Sequence, residues 1–171
     1  ISQINRERPF DLMVTTSNPA GFSPQELEQI KNNPKVTASA DSQSAQVTVT
    51  TSDGQEHPVK AETADSSQLS EVFYAKGDTL FPQSGVGTVG TITENKSPIT
   101  IQGDAGSIVA SADVSDKRAP DQIRMSKDDF TKVARNTVTG TVYLRLTPGL
   151  SADEVQQVTS DLNALNDSYN V

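Results

Sequence analysis

The chain contains the same ten-residue pattern twice, once towards each end. Residues 21–30 (GFSPQELEQI) and 149–158 (GLSADEVQQV) both read glycine, apolar, serine, two variable positions, glutamate, apolar, one variable position, glutamine and apolar. In each copy the serine and the glutamate three residues later form a capping box, and the flanking apolar residues form a hydrophobic staple. Both copies therefore predict a helix start. They indicate a duplicated unit, although unrelated helices with good N-termini produce the same pattern.

Each helix start follows a segment that alternates apolar and polar residues, which is the period of a half-buried strand. These segments are residues 8–16 (RPFDLMVTT) and 141–146 (TVYLRL). If both strand–helix units share one sheet, the chain is α+β, a split βαβ (ferredoxin-like) sandwich with a β-rich insertion between the units. The predicted division is 1–40 with 137–171 for the α+β subdomain, and 41–136 for the inserted one.

A strand–helix unit returns the chain to the end of the sheet where it entered, so both termini are expected on the same side. Adjacent termini suit a domain inserted between consecutive segments of a larger protein. The chain starts at Ile1 without an initiating Met, and it contains no apolar run of the roughly 18 to 20 residues that a membrane span requires. We therefore expect a segment excised from a longer protein.

The middle of the chain predicts mostly short strands. Strands are expected at 36–40 and 45–51, followed by a hairpin at Asp53-Gly54, and again between 86 and 114. Short helices are expected at 66–74 and after Ser126, whose side chain is placed to cap the helix that follows. The amphipathic helix that starts at Ser151 is predicted to carry an apolar stripe that includes Leu165.

Composition excludes several classes of function. The chain has 22 acidic and 14 basic residues and a net charge of -8, so it should repel nucleic acid and anionic lipid. With no Cys and one His, thiolate chemistry, zinc fingers and iron–sulfur clusters cannot be built. The one histidine, His57, precedes Pro58 beside the predicted hairpin and is interpreted as part of an exposed arm. We expect no catalytic residue, no cofactor and no metal.

Two further patterns are not assigned to chemistry. Residues 85–90 (GVGTVG) match the GxGxxG string, but the residues after them continue as β, whereas a dinucleotide site opens a helix there. Asp129 and Asp153 fall in first helical turns, where the helix dipole favours anions. A glycosidase would also need aromatic sugar platforms, and the chain has no Trp.

Aromatic and aliphatic residues in a glycine-rich stretch are the candidate contact site for a partner. They are Phe73, Tyr74, Leu80 and Phe81. These side chains either fill the small core of the insertion or form an exposed patch that contacts a partner protein or a hydrophobic substrate.

The motifs resemble a known family. Residues 9–14 (PFDLMV), 23–30 (SPQELEQI), 33–36 (NPKV) and 142–149 (VYLRLTPG) resemble the extracytoplasmic domain of FtsX-like (MacB-type) ABC transporter permeases. Residues 77–80 (GDTL) are similar to a glycine-led turn of that family, and 123–130 (IRMSKDDF) to its short strand and helix. Lys35 stands where the family usually has glycine, and residues 97–110 only approximate its Val-Val-Gly-rich strand.

The resemblance implies a non-catalytic domain at the extracellular face of a bacterial membrane, between the first and second membrane helices of a permease. Its implied partners are a cytoplasmic ABC ATPase subunit, which would hydrolyse ATP, a second permease copy, and an extracellular protein or a small hydrophobic or peptide substrate. The alternative is a secreted or cell-wall adhesion module that binds through the β-rich insertion. An enzyme that uses His57 is the third hypothesis.

Overall fold

The chain folds into two compact units. The structure is a computed structural model, and it describes residues 9–74, 81–82, 85–89, 93–114 and 121–171. The first unit comprises Ile1–Ser42, Asp65–Gly77 and Val138–Val171, and the second comprises Gln43–Ala64 and Asp78–Thr137.

Ten strands and four helices make up the described part of the chain. In chain order they are β1 (Leu12–Thr16), α1 (Pro24–Lys31), β2 (Val36–Thr50), β3 (Glu56–Ala64), α2 (Ser66–Val72), β4 (Val86–Val89), β5 (Pro98–Gln102), β6 (Ser107–Ser111), β7 (Asp113–Val114), β8 (Gln122–Met125), α3 (Lys127–Val133), β9 (Val138–Leu146), α4 (Ala152–Asn163) and β10 (Tyr169–Asn170). Four helices together with a sheet that contains both antiparallel and parallel strand pairs confirm the predicted α+β class.

The sheet of the first unit has the order β10-β1-β9-β2. β1 pairs antiparallel with β9, Leu12 lying opposite Leu144, and antiparallel with β10, Thr16 lying opposite Tyr169. Each strand–helix unit thus places its first strand at the centre and its second strand at an edge. This is the split βαβ arrangement of a ferredoxin-like sandwich.

Both capped helices pack on one face of this sheet. The capping boxes predicted at Ser23 and Ser151 are present, each with its glutamate bonded back to the serine backbone. Ile30 of α1 and Leu162 of α4 are fully buried in one apolar cluster with alternate residues of the central strands. Its buried members are Leu12, Val14, Phe22, Ile30, Val142, Leu144, Leu146, Val158, Leu162 and Tyr169.

Residues 65–74 pack in the first unit, whereas the predicted division placed all of 41–136 in the insertion. α2 contacts β9, and Phe73 contacts Tyr143, whose neighbours Val142 and Leu144 belong to the helix-covered core. Because side chains alternate along a strand, Tyr143 lies on the other face of the sheet. A half-buried sheet has a second face that can be covered, and the sequence pattern did not show which segment covers it.

The second unit has its own sheet pairings and core. Within it the strand order is β2-β3-β8-β4-β7; β3 pairs parallel with β8, and β5 pairs with both β2 and β6. Gly54 closes the predicted β2–β3 hairpin with a positive φ of 84°, which confirms the Asp53-Gly54 turn. Helix α3, capped by Ser126 as predicted, buries Phe130 and Val133 in the core of this unit.

Three elements differ from the sequence expectation. β2 is one strand of 15 residues, where two strands were predicted. The polar residues 41–44 lie inside it but carry no strand signal of their own, because β-propensity depends on the neighbours in the sheet more than on the residue itself. Helix α4 ends at Asn163, so Leu165 lies outside it and is exposed. The two-residue strand β10 was not predicted, because a strand this short carries no periodicity.

The longest helix among the described residues is α4, with 12 residues. None of the described helices combines the length and the apolar content that crossing a bilayer demands.

Candidate functional site

The four residues predicted as a partner-contact site have different environments. Phe73 is 4% exposed and Phe81 is 3% exposed, whereas Tyr74 is 44% exposed. Leu80 lies outside the described residues. A single exposed patch that includes Phe73 and Phe81 does not form, so among the described members Tyr74 alone is presented to solvent.

Phe73 belongs to a cluster of three aromatic rings in the first unit. Its ring centroid is 5.6 Å from that of Phe10 and 5.5 Å from that of Tyr143, and the Phe10 and Tyr143 centroids are 5.0 Å apart. Tilted and edge-on rings at these separations attract each other beyond the area that they bury. The cluster fastens the segment after α2 to the start of β1 and to the middle of β9.

Next to these rings, Tyr74 meets a carboxylate. Its hydroxyl donates to Asp11, with 2.8 Å to Oδ1 and 2.7 Å to Oδ2, and its backbone N–H donates to Pro9 O at 2.8 Å. The guanidinium carbon of Arg145 lies 4.4 Å from the centroid of the Tyr74 ring, in cation–π geometry. We refer to Asp11, Tyr74 and Arg145 as the Asp11 cluster.

Asp11 connects three segments of the chain. Besides the Tyr74 hydroxyl, its Oδ2 accepts the Leu146 backbone N–H at 2.7 Å, and its own N–H donates to Leu144 O at 3.1 Å. The carboxylate therefore joins the start of β1, the end of β9 and the residue that follows Phe73. Hydrogen bonds to an ionised acceptor are the stronger kind, so this junction is firmly held.

The electrostatics of the Asp11 cluster keep Tyr74 protonated. Burial of the hydroxyl, its hydrogen bond to Asp11 and the negative charge of that carboxylate raise the pKa of Tyr74, and Arg145 opposes the shift. Tyr74 thus acts as a hydrogen-bond donor throughout the physiological range. In this arrangement Tyr74 links the segment after α2 to residues 9–11, before β1.

An apolar groove lies beside the Asp11 cluster, along the N-terminal half of α4. Its volume is about 580 Å³, and it is lined by Phe10, Leu12, Met13, Ala152, Val155, Gln156, Thr159 and Val171. None of these lining side chains is ionisable. Because Phe10 and Val171 line the same groove, the chain enters β1 and leaves β10 at one edge of the first unit.

A second long-range cluster was missed by the sequence analysis. Tyr169 donates its hydroxyl to Glu26 Oε2 at 2.9 Å, while Glu26 Oε1 accepts the Ser23 N–H of the capping box at 3.0 Å. These hydrogen bonds lower the pKa of Glu26, the one from Ser23 most strongly. Burial and the Glu26 carboxylate raise the pKa of Tyr169. Glu26 and Tyr169 are 143 residues apart, and no local signal in the sequence relates them.

The charge on Glu26 is expected to stabilise the first unit in a pH-dependent way. Its pKa in the folded chain is below the ordinary value of 4.5, so the stabilisation is complete above pH 4.5 and is lost as the pH falls through the lower folded value. Glu26→Gln retains an acceptor for the capping box but removes the charge. At pH 7 we expect the melting temperature of Glu26→Gln to be lower than that of the unmodified chain. At pH 3 we expect the two melting temperatures to be nearly equal.

Glu28→Gln, at an exposed position of the same helix, is the control for losing one negative charge. Melting curves of both variants at pH 3, 5 and 7 give the comparison. A deficit for Glu26→Gln that is equally large at pH 3 and pH 7 would contradict the assignment.

The other sequence candidates lie in the second unit. His57 is in β3 and lines a polar depression of about 290 Å³ with Asp53 and Glu94. Among the described residues, no three acidic or histidine side chains are placed to hold a metal ion together. Val86–Val89 form strand β4, so the GxGxxG string does not open a helix at these residues; Gly90 lies outside the described ones.

The solved structures that are similar to this chain include two transporter domains. The extracellular domain of the noncanonic ABC-type transporter YknZ from Gram-positive bacteria is 13% identical, with a TM-score of 0.49 over 94% of this chain and 98% of that one. The periplasmic region of MacB from Actinobacillus actinomycetemcomitans is 7% identical, with a TM-score of 0.47 over 92% and 86%. No protein-family model matches the chain, and no curated protein matches it.

Proposed function

We propose that this chain is a non-catalytic extracellular domain of an ABC transporter permease subunit. In this role it couples ATP-driven motion of membrane helices to export of a substrate or to an extracellular partner. The observation that carries the proposal is the position of the segments with the family's motifs. They fold into two strand–helix units whose outer ends, Phe10 and Val171, share one edge of the first unit.

This edge is suited to receive motion from two membrane helices. A displacement at Phe10 passes directly to the aromatic cluster and, through Asp11, to the end of β9. A displacement at Val171 reaches β1 through the β10 pairing. The first unit would thus respond as a body to a change in helix separation, because both connections lead into its central strands.

The coarse part of the proposal is tested by locating the product of the full gene in intact cells. These 171 residues contain no Cys, so Ser52→Cys, in the exposed turn between β2 and β3, adds one labelling site to this domain, and the full product without the substitution is the background control. We expect a membrane-impermeant maleimide to label it without permeabilisation, and the product to stay in the membrane fraction after a carbonate wash. Labelling only after permeabilisation would overturn the proposal. Recovery of the labelled product from the medium or the cell wall would support the adhesion module instead.

The finer part concerns the ATPase partner. The full-length product, purified from membranes in mild detergent, is expected to retain a co-purifying ATPase that vanadate inhibits. The isolated 171-residue chain, as the control, is expected to hydrolyse no ATP. Hydrolysis by the isolated chain, or a membrane complex without ATPase activity, would contradict this part.

Mechanical coupling predicts a local change during the ATP cycle. In the full-length transporter, the Leu146 and Tyr74 amides, which donate to Asp11 and Pro9, are expected to change their hydrogen–deuterium exchange between the nucleotide-free and vanadate-trapped states. The Gly54 amide, which donates to Thr51 O in the hairpin of the second unit, is the control. Unchanged exchange at both Leu146 and Tyr74 would exclude coupling through the Asp11 cluster.

A further inference from the structure

Strand β6 of the second unit has one open edge in the described structure. It pairs antiparallel with β5 from Ser107, opposite Gln102, to Ser111, opposite Pro98. Among the described strands it pairs with no other. An edge strand presents unpaired backbone N–H and C=O groups, which proteins usually protect with Lys, Pro or a bulge. Residues 107–111 (SIVAS) contain neither Lys nor Pro, and their register with β5 is unbroken.

The hairpin turn fixes which backbone groups point outwards. Gly103 N donates to Gly106 O at 2.9 Å, so this pair is hydrogen-bonded and bonded pairs alternate along the antiparallel ladder from there. Residues 108 and 110 therefore bond to β5. The N–H and C=O groups of Ser107, Val109 and Ser111 point away from β5, towards the open edge.

The side chains of the same three residues are exposed. Ser107, Val109 and Ser111 are exposed, Val109 at 74%, whereas Ile108 and Ala110 are partly buried against the core of the second unit. Val109 is the most exposed of the large apolar side chains in the described structure. One strand thus offers three outward backbone positions and an apolar side chain at their centre.

Two identical strands that pair antiparallel are related by a two-fold axis through one central residue pair. In β6 the central residue is Val109. With Val109 opposite Val109 of a second copy, Ser107 lies opposite Ser111, and Ile108 lies opposite Ala110. The outward backbone groups at 107, 109 and 111 of both copies then meet in register as three hydrogen-bonded pairs. Residues 105–112 (AGSIVASA) carry no charge, so two copies of a chain with net charge -8 meet there without placing like charges in the ladder.

We propose that β6 is a self-association edge, through which two copies of this chain pair antiparallel about Val109. We assign the partner as a second copy of the chain because three features coincide on this strand. Its backbone groups at 107, 109 and 111 point outwards, its sequence positions are symmetric about Val109, and it carries no charge. Five residues bury less surface than a standard stable interface, so the dimer is weak and depends on concentration. The inference is independent of the transporter proposal, since it concerns the isolated chain.

Sedimentation equilibrium of the 171-residue chain over a concentration series tests the association. We expect a monomer–dimer equilibrium that Val109→Lys weakens by roughly tenfold, because like charges then face each other across the two-fold axis. Met13→Lys, at an exposed apolar strand position of the first unit, is the matched control and should leave the equilibrium unchanged. A chain that is monomeric at all concentrations, or equal weakening by both variants, would overturn the proposal.

Single-cysteine cross-linking tests the register. Because the chain has no Cys, a thiol introduced into one variant can form a disulfide only with the same thiol on a second molecule. Val109→Cys is expected to form a disulfide dimer readily, since Cα atoms in a bonded antiparallel pair are about 5.5 Å apart. Ser107→Cys alone should not, because its two copies lie roughly 13 Å apart, but it should cross-link when mixed with Ser111→Cys. Self-linking by Ser107→Cys, or by Met13→Cys as readily as by Val109→Cys, would overturn the register.

Discussion

Gly21→Ala is expected to destabilise the first unit by at least about 3 kcal/mol. Gly21 has a φ of 73°, and a Cβ built on it would lie 2.5 Å from the backbone oxygen of Thr139. That carbonyl cannot withdraw freely, because it accepts the Phe22 N–H at 2.8 Å. The left-handed conformation costs about 1 to 2 kcal/mol for a residue with a Cβ, and the clash adds to it.

Gly149→Ala is the matched control, because Gly149 holds the equivalent position of the second repeat. Its φ is 81°, but no atom lies within 4 Å of an added Cβ. We expect only the conformational part of the loss, about 1 to 2 kcal/mol. The chain has no Trp, and its three Tyr all lie in the first unit, so tyrosine fluorescence during urea unfolding reports on that unit. Equal losses for the two variants would show that the contact with Thr139 contributes nothing.

Phe73→Ala is expected to lower the free energy of unfolding of the first unit by about 3 to 5 kcal/mol, as removal of a buried aromatic side chain usually does. Phe73 is 4% exposed between the Phe10 and Tyr143 rings. Because residues 65–74 pack in the first unit, the loss should lower the urea concentration at which the tyrosine fluorescence of that unit changes. Met13→Ala, at an exposed site of the same unit, is expected to change the free energy by less than about 0.5 kcal/mol.

A double-mutant cycle separates the ring contact from general loss of volume. We expect Phe73→Leu and Tyr143→Leu to show a coupling of about 0.5 to 1.5 kcal/mol. A Phe73→Ala variant whose first unit unfolds at the same urea concentration as the unmodified chain would mean that the segment after α2 does not support this sheet.

The sequence was sufficient to predict the elements that depend on residues close together in the chain. The helix starts at Ser23 and Ser151 depend on hydrogen bonds between residues three apart, and both formed as predicted. The alternation in β1 and β9 depends on the two-residue period of a strand, and these strands also formed. The repeat of a capped helix after an alternating strand was therefore enough to predict the α+β class and the split βαβ arrangement.

The candidate site was predicted less completely. The sequence analysis named Tyr74 as a candidate contact residue because it lies beside other aromatic residues near a glycine-rich stretch. It did not name Asp11 or Arg145 as site residues, although all three form one cluster. Asp11 is 63 residues from Tyr74 and 135 from Leu146, whose N–H it accepts. Nothing in a local pattern indicates such partners, because the same aspartate on the polar side of a strand would be equally acceptable facing water.

The sequence by itself determined where helices begin, which residues alternate along the strands and which chemistry the chain lacks side chains to perform. Those properties follow from hydrogen bonds and periodicities that span a few residues. Only the tertiary structure decided that β10 adds to β1, that Phe73 covers the second face of the sheet, and that β6 keeps an open edge. Each of these depends on which distant surfaces meet, and burial energy rewards any apolar partner of suitable shape, so the choice is made only when the whole unit packs.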